Sequence, residues 1–432
     1  MLFAKDAQKD SLVVTGARVL DPVEKIDATV DVRVDDGVLA AIGASVERNA
    51  HRVVDGNGLV LAPAFVDPHV HLRTPGREDE ETIAGGTAAA AAGGYCAILA
   101  MPNTEPVVDS AATLGSLVET ARAQGKIPVG FLAAITKGQQ GAELTEMGEL
   151  ADEGAAGFTD DGRPVRSAGL MRRALQYASI TSRRLALHEE EPSLSRDGQM
   201  HEGAVSAELG FAGYPAVAES LMVGRDLALA AYENQPLHFM HLSAKESVKL
   251  VASAQAEGLS ATAEVTPHHL CLTDEAVRSL DPNVKMNPPL RSAEDRRALV
   301  DGLRSGTITC VASDHAPHAR HEKEVPFEEA PFGVTGLETA FAALYTYLVE
   351  PGLLPLEILL ERMSTGPARA YGLDAPRIAV GAPANLVLLD MNASRQVTEQ
   401  AFRSRSTNSW LLGKTLKGRV ETTVADGRLV FG

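Results

Sequence analysis

Leu59-Val-Leu-Ala-Pro-Ala-Phe-Val66 runs directly into Asp67-Pro-His69-Val-His71-Leu-Arg73, and this stretch points to both the fold and the chemistry. The apolar run predicts a buried strand, and alternate residues of a strand face the same side. His69 and His71 therefore converge on one point, with Arg73 pointing the same way from the strand's end. Two imidazoles beside a guanidinium indicate a metal that acts on an anionic substrate, although the pair alone is equally typical of two packed histidines.

The composition limits the functions that the chain can have. The 432 residues carry a formal charge of −17, which argues against a nucleic-acid partner because such proteins present a basic face. The three cysteines are scattered and are predicted to be reduced and buried, as in a cytoplasmic protein. The N-terminus has no signal-peptide pattern, and no apolar run approaches the roughly 18 residues of a membrane span, so no membrane partner is expected.

The middle of the chain repeats one structural unit eight times. Between residues 62 and 374, short strand-like runs alternate with segments that carry apolar residues at helical spacing. Eight such units predict a (β/α)₈ barrel, whose chemistry lies at the C-terminal ends of its strands. The predicted strands are Ala64–Leu72, Tyr95–Pro102, Ile127–Thr136, Ala155–Asp161, Arg184–Glu190, Leu237–Ser243, Thr262–His269 and Ile308–His315.

The two ends of the chain have a different pattern. Residues 11–61 and 375–432 contain alternating apolar runs separated by tight turns such as Asp36-Gly37 and Asp426-Gly427. Neither end alone makes a core, so we predict one small β-sandwich built from both termini. Residues 1–10 are predicted to be a disordered tail.

A histidine or an aspartate lies at the C-terminal end of each of four further predicted strands. These residues are Asp160 and Asp161 on strand four, His188 on strand five, His241 on strand six and Asp314 on strand eight. With His69 and His71 they make too many ligands for one tetrahedral zinc, and they suit two ions bridged by a carboxylate. His69, His71 and Asp314 are predicted to hold one Zn²⁺, and His188 and His241 the other. His238 is predicted to be structural, and no role is assigned to the remaining histidines: His51, His201, His268, His269, His315 and His321.

Six motifs give the chain a family resemblance. They are Asp67–Arg73, Met101-Pro-Asn103-Thr104, Phe158-Thr-Asp-Asp-Gly162, Met286-Asn287-Pro-Pro-Leu-Arg291, Ser313-Asp-His-Ala-Pro-His318 and Pro331-Phe332-Gly333-Val-Thr-Gly-Leu-Glu338. Together they resemble the amidohydrolase superfamily and, within it, the bacterial type I dihydroorotases. In that class an aspartate replaces the bridging lysine of strand four. The resemblance gives this place to Asp161, although the sequence alone leaves Asp160 open.

The resemblance implies an activity and a set of roles. The activity is the reversible hydrolysis of (S)-dihydroorotate to N-carbamoyl-L-aspartate, in the synthesis of pyrimidines. Asp314 is expected to be both a metal ligand and the proton shuttle. The implied partners beyond the small-molecule substrate are a second copy of the chain and aspartate carbamoyltransferase. The residues expected to contact the substrate are His71, Arg73, Asn103, Asn287, His318, Phe332 and Gly333.

Two alternatives stay open. A hydantoinase or allantoinase would share the scaffold, but those relatives generally use a bridging lysine and carry different residues at Asn103 and at positions 286–291. A catalytically inactive dihydroorotase-like subunit, kept as a scaffold for aspartate carbamoyltransferase, would lack metal ligands. None of the six expected ligands is missing from this sequence.

Overall fold

The computed structural model describes residues 1–47 and 52–432, so His51 lies outside the described residues. In the described part of the chain, five strands precede the Asp67–Arg73 motif. The first is rich in valine and leucine and is buried along nearly its whole length, whereas the second is exposed in its first half and more buried towards its end. The strands are β1 (Leu12–Asp21), β2 (Ile26–Asp35), β3 (Val38–Gly43), β4 (Arg52–Asp55) and β5 (Val60–Pro63).

Eight parallel strands of the described chain form the central sheet, and a short pair lies outside it. The barrel strands are β6 (Phe65–Val70), β7 (Tyr95–Ala100), β8 (Val129–Ala133), β9 (Gly157–Phe158), β10 (Arg184–Leu187), β13 (Leu237–Phe239), β14 (Ala261–Val265) and β15 (Cys310–Val311); the pair is β11 (Met200–His201) with β12 (Gly213–Tyr214). A parallel bridge between Val70 and His315 brings the last unit beside the first and closes the ring. The predicted (β/α)₈ barrel is confirmed.

Three further strands complete the N-terminal sheet. They are β16 (Leu386–Gln396), β17 (Thr415–Ala425) and β18 (Arg428–Phe431). The sheet order is β18-β17-β16-β5-β1-β2-β3, with β4 beside β1, so strands from both ends of the chain share one sheet. β16 and β5 pair antiparallel at the junction. The prediction that the two termini build one β-domain is confirmed.

Helices cover the outside of the barrel. Residues 204–233 form two helices rather than one, because Gly210 ends the first of them in a left-handed conformation. The helices are α1 (Ile83–Ala92), α2 (Ala111–Gln124), α3 (Met147–Glu153), α4 (Ala168–Thr181), α5 (Pro192–Ser195), α6 (Ala204–Leu209), α7 (Val217–Glu233), α8 (Lys245–Ala256), α9 (Pro267–Cys271), α10 (Ala293–Ser305), α11 (Arg320–Lys323), α12 (Ala340–Leu344), α13 (Leu356–Met363) and α14 (Thr365–Ala370). Among the described residues, no helix has the length and apolarity that crossing a bilayer requires.

The N-terminal residues differ from the predicted disordered tail. Phe3 exchanges two backbone hydrogen bonds of 2.8 Å with Val129 at the base of the barrel, and the Lys5 amide donates to the Gly125 carbonyl. The ring of Phe3 packs where a side chain on Gly154 would stand, since an added Cβ there would lie 2.8 Å from the ring. A contact of so few residues is too short to give a periodic signal in the sequence.

Candidate metal centre and substrate pocket

Five barrel strands carry the predicted ligands to one point. His69 lies within β6, and His188 follows β10 directly. His241 and Asp314 lie two and three residues beyond their strands, where both adopt a left-handed backbone, with φ of 30° and 46°. Such a conformation is strained for a residue other than glycine, and it typically persists only where the surrounding structure enforces it. The strain aims both side chains inward at the C-terminal mouth of the barrel.

The first group of donors surrounds the His69 ring. The Oδ1 atom of Asp314 lies 3.1 Å from Nε2 of His71 and 3.5 Å from Nε2 of His69. The Nδ1–H of His71 donates to Oδ1 of Asn103 at 2.9 Å, which leaves Nε2 of that ring with a lone pair directed at the centre. These three residues lie within one another's reach for a shared ion, as the sequence predicted.

The second group meets at Asp161. Its Oδ1 lies 3.5 Å from Nε2 of His241 and 3.6 Å from Nε2 of His69, while its Oδ2 lies 3.6 Å from Nε2 of His71. Nδ1 of His188 lies 3.1 Å from Nε2 of His241. The two oxygens of Asp161 therefore face different histidines, which is the arrangement that a bridging carboxylate needs.

Asp160 points away from this centre. Its carboxylate accepts hydrogen bonds from the backbone amides of Ile135 and Thr136 at 2.8 and 3.0 Å, and from the Thr136 hydroxyl. Burial raises the pKa of Asp160 to about 6, although these donors oppose the rise. Asp160 thus ties the end of β9 to the loop after β8. Of the two aspartates that the sequence left open, Asp161 is the one that faces the histidines.

The centre attracts positive charge. Burial alone would raise the pKa of Asp314 and of Asp161, but the neighbouring histidines outweigh it and hold both below their usual values. Burial would likewise lower the pKa of His69, yet Asp161 and Asp314 raise it well above its ordinary value. Nε2 of His69 is buried and has no hydrogen-bond partner in the part of the chain that the structure describes. Imidazole and carboxylate donors around an unpartnered ring nitrogen fit divalent metal ions such as zinc.

A buried glutamate that the sequence analysis missed supports the histidines. Oε1 of Glu264, in β14, accepts from Nδ1 of His69 at 2.7 Å and from the His241 amide at 3.3 Å, while Oε2 accepts from Nε2 of His238 at 2.9 Å. Burial would raise the pKa of Glu264, but the bonds from His238 and His69 lower it to about 2. Because Nδ1 of His69 is the donor, Nε2 is the nitrogen left for a metal. The signal available in the sequence was a carboxylate inside an apolar strand.

An open pocket of 490 Å³ adjoins the centre and is lined by three of the residues expected to contact the substrate: Arg73, Asn103 and His318. One N–H of the Asn103 amide donates to Oδ2 of Asp161 at 3.2 Å, so the other remains for a ligand. Arg73 has a φ of 56°, which turns its side chain towards the pocket. Its Nε lies 2.9 Å from Glu80 and 3.1 Å from the Pro317 carbonyl.

The remaining substrate residues lie on two neighbouring loops. The ring of His318 faces Glu80 at 3.3 Å through Nδ1 and the Phe332 carbonyl at 2.8 Å through Nε2. Gly333 has a φ of 103°, and a Cβ there would lie 2.6 Å from Ala316, so only glycine fits. Nδ2 of Asn287 lies 3.4 Å from Glu190, and its buried Oδ1 has no hydrogen-bond partner among residues 1–47 and 52–432.

Two of the histidines without an assigned role have clear structural contacts. The His315 carbonyl accepts from the His71 amide at 2.9 Å, which joins the last strand end to the first. Nε2 of His269, in α9, donates to the Pro288 carbonyl of a neighbouring segment, and its Nδ1 accepts from the Thr266 hydroxyl. His268 is buried beside it, and its ring has no hydrogen bond to any described residue.

The barrel and its strand-end donors define a metal-dependent hydrolase of the amidohydrolase superfamily. A family model described as Dihydro-orotase-like matches residues 58–247. Dihydroorotases from Pelotomaculum thermopropionicum and Trichlorobacter lovleyi are 44% and 42% identical to the chain, covering 97% and 98% of it and 98% and 99% of their own lengths. The chain belongs to the dihydroorotase family.

Solved structures agree on the fold. The chain is similar to the L-hydantoinase of Arthrobacter aurescens, with a TM-score of 0.88 and 26% identity over 98% of this chain and 96% of that one. A dihydropyrimidinase from Brevibacillus agri gives a TM-score of 0.84 at 23% identity, with 98% and 95% covered. Fold alone therefore relates the chain to enzymes that act on several cyclic amides, and the choice among them rests on the sequence relatives and the pocket.

Proposed function

We propose that the chain hydrolyses the cyclic amide of (S)-dihydroorotate reversibly to N-carbamoyl-L-aspartate. The observation that carries the proposal is a buried guanidinium, Arg73, in the pocket that adjoins the histidine and aspartate centre. An arginine beside the scissile bond serves a substrate that carries an anion, and dihydroorotate bears a carboxylate next to its ring nitrogen. The dihydroorotases among its relatives support the same activity.

The metal that we propose is zinc, with two ions per chain. His69, His71 and Asp314 would hold one ion, His188 and His241 the other, and Asp161 would touch both. Bound divalent ions supply Lewis acidity, which activates both water and the scissile carbonyl.

Asp314 is the residue that we propose moves the proton. Its carboxylate lies at the centre, 3.1 Å from Nε2 of His71 and 3.5 Å from Nε2 of His69, where an ionised carboxylate can accept a proton from the attacking water. Breaking the ring C–N bond requires a proton on the departing nitrogen. Asp314 returns that proton in the hydrolytic direction, and the same steps run backwards in cyclisation.

The pocket residues would orient the ring. Arg73 would bind the substrate carboxylate, and the free N–H of Asn103 would add a second donor beside it. Asn287 would offer its unpartnered Oδ1 to an N–H of the ring. His318 and the backbone at Phe332–Gly333 would hold the opposite edge of the ring. When these residues fix the ring, the energy of substrate binding is used to orient the scissile bond for attack.

The observations disfavour both alternatives. A hydantoinase or allantoinase substrate would leave the Arg73 guanidinium without an anion to bind. The segment that follows β9 also provides Asp161, rather than a lysine, at the proposed bridging position. A scaffold subunit would have no need of a complete set of donors at bonding range. Association with aspartate carbamoyltransferase, a homodimer, the lack of a nucleic-acid partner and a cytoplasmic location stay predictions.

Metal analysis combined with turnover tests the proposal. Protein loaded with zinc is expected to retain two ions per chain after desalting and to interconvert dihydroorotate and carbamoyl-aspartate. Hydantoin and allantoin are the comparison substrates at the same enzyme concentration. Faster turnover of either one than of dihydroorotate would contradict the assignment, and full metal content without any turnover would favour the scaffold alternative.

A further inference from the structure

Glu80 is a buried carboxylate in the loop between β6 and α1, and the proposed reaction does not use it. Its side chain is 3% exposed. It lies 2.9 Å from Nε of Arg73, 3.0 Å from Nη2 of Arg77 and 3.3 Å from Nδ1 of His318. All three neighbours line the substrate pocket. A single carboxylate therefore holds two guanidiniums and an imidazole at the place where the substrate would bind.

Glu80 limits which atoms of Arg73 can meet a ligand. Nε of Arg73 is shared between Glu80 and the Pro317 carbonyl, at 2.9 and 3.1 Å. The two terminal nitrogens, Nη1 and Nη2, have no hydrogen bond to any described residue and are not sealed within the protein. Nη1 and Nη2 are thus the atoms of Arg73 that can bind a ligand, and this pair of donors matches the two oxygens of a carboxylate.

The charge around Arg73 is arranged for one more anion. Arg77 has a second acidic partner in Glu322, at 2.7 Å, so it does not depend on Glu80 alone. Arg73 has only Glu80 as an acidic side chain within ion-pair distance among the described residues. Glu80 approaches Arg73 from the Nε edge, which leaves the opposite end open towards the pocket.

We propose that Glu80 is a positioning residue, which fixes Arg73 so that its terminal nitrogens receive the substrate carboxylate, whereas His318 keeps its bond to the Phe332 carbonyl without Glu80. The inference deepens the proposed function and rests on it. Without Glu80 the guanidinium would rotate about its last bonds, and binding the substrate would have to order it again. The defect should therefore appear in KM, and only for substrates that carry the carboxylate.

Side-chain replacement isolates this role from the structural contacts of the loop. The Glu80 carbonyl accepts from the Ser406 hydroxyl and the Glu80 amide donates to the Arg77 carbonyl, and both bonds survive a change of side chain. Glu80→Ala removes the carboxylate, and Glu80→Gln keeps an oxygen that can accept from Nε of Arg73. Glu78→Ala is the matched control, since Glu78 is exposed on the same loop and, among the described residues, its carboxylate accepts only from the Gly76 amide.

The measurement is steady-state kinetics of the zinc-loaded full chain on dihydroorotate and on dihydrouracil, which has the same ring without the carboxylate. Glu80→Ala is expected to raise KM for dihydroorotate about tenfold or more, with kcat within about threefold of wild type. Its kcat/KM on dihydrouracil should not change, Glu80→Gln should fall between wild type and Glu80→Ala, and Glu78→Ala should match wild type.

Each other outcome is decisive. An unchanged KM for dihydroorotate in Glu80→Ala, or an equal loss on both substrates, overturns the positioning role. If Glu80→Ala does not fold, Glu80→Gln decides by the same comparison, and a failure of both to fold assigns Glu80 to structure alone. Wild-type protein that does not turn over dihydroorotate refutes the proposed function instead, which keeps the two failures apart.

Discussion

Replacing Arg73 with methionine tests substrate recognition most directly. Methionine fills similar apolar volume but offers no donor to a carboxylate. The terminal nitrogens of Arg73 are free for a ligand, whereas its Nε already serves Glu80 and Pro317. The loss therefore corresponds to one charge-assisted interaction, worth about 1.5–3 kcal/mol. At 1.36 kcal/mol per decade, kcat/KM on dihydroorotate should fall about 10- to 150-fold.

The fold and the metal centre should survive the change. Glu80 would lose one cation but keep Arg77 at 3.0 Å, so its carboxylate would not be left buried without a partner. Arg73 is not among the metal donors, so zinc content should equal that of wild type. Arg163→Met is the matched control, because Arg163 is exposed at the mouth of the same pocket. A charge so placed is worth at most about 1 kcal/mol, which limits the loss to about fivefold.

The assay compares dihydroorotate with dihydrouracil in wild type and both variants, with metal content and melting temperature measured on the same samples. Dihydrouracil should be a poor substrate of wild type and nearly indifferent to Arg73→Met. An equal loss on both substrates would refute the reasoning, because the guanidinium would then support the site rather than bind the carboxylate. A lowered melting temperature without a substrate-specific defect would refute it equally.

Four further results are expected. Asp314→Asn should abolish turnover while the fold survives, and near-normal activity would remove Asp314 from the mechanism. Glu264→Gln should weaken zinc binding about 10- to 100-fold by titration against a chelator, because His69 and His241 lose the carboxylate that orients them; unchanged affinity would contradict this. Hydrolysis makes a carboxylic acid that ionises near pH 4, so the ratio of open to closed compound should rise about tenfold per pH unit, and a flat ratio from pH 6 to 8 would exclude this substrate pair. Burial raises the pKa of Glu338 to about 7. Between pH 5 and pH 8 the free energy of unfolding of wild type should therefore fall by up to about 3 kcal/mol relative to that of Glu338→Gln. Equal slopes of melting temperature against pH in the two proteins would contradict this.

The sequence predicted most of the site because barrel strands impose regular geometry. Period-two alternation put His69 and His71 on one face, and strand ends brought the other four ligands to the same mouth. Strand alternation and strand ends could not predict whether Asp160 or Asp161 faces the histidines. Adjacent residues point in opposite directions, and the decision depends on Thr136 and the amides after β8, which only the folded chain places beside Asp160.

Backbone strain explains other features of the site that the sequence did not predict. Arg73, His241 and Asp314 adopt positive φ just past their strands, and none of the three is a glycine that would mark such a position in the sequence. The pairing of Arg73 is a related case. Glu78, Asp79 and Glu80 are consecutive acidic residues, and only the turn that begins at Arg73 makes Glu80 its partner. One residue of error along a loop is enough to exchange an exposed carboxylate for a buried one.

His238 shows where the alternation of a strand stops applying. β13 ends at Phe239 and alternation ends with it, so the ring of His238 and the backbone amide of His241 both donate to the same carboxylate, Glu264. A buried carboxylate is costly unless its oxygens are satisfied, and Glu264 is satisfied only because His69, His238 and the His241 amide all donate to it. Three barrel strands therefore depend on one residue that belongs to no motif, and the imidazole of His238 contributes to the metal centre by holding Glu264 against His69.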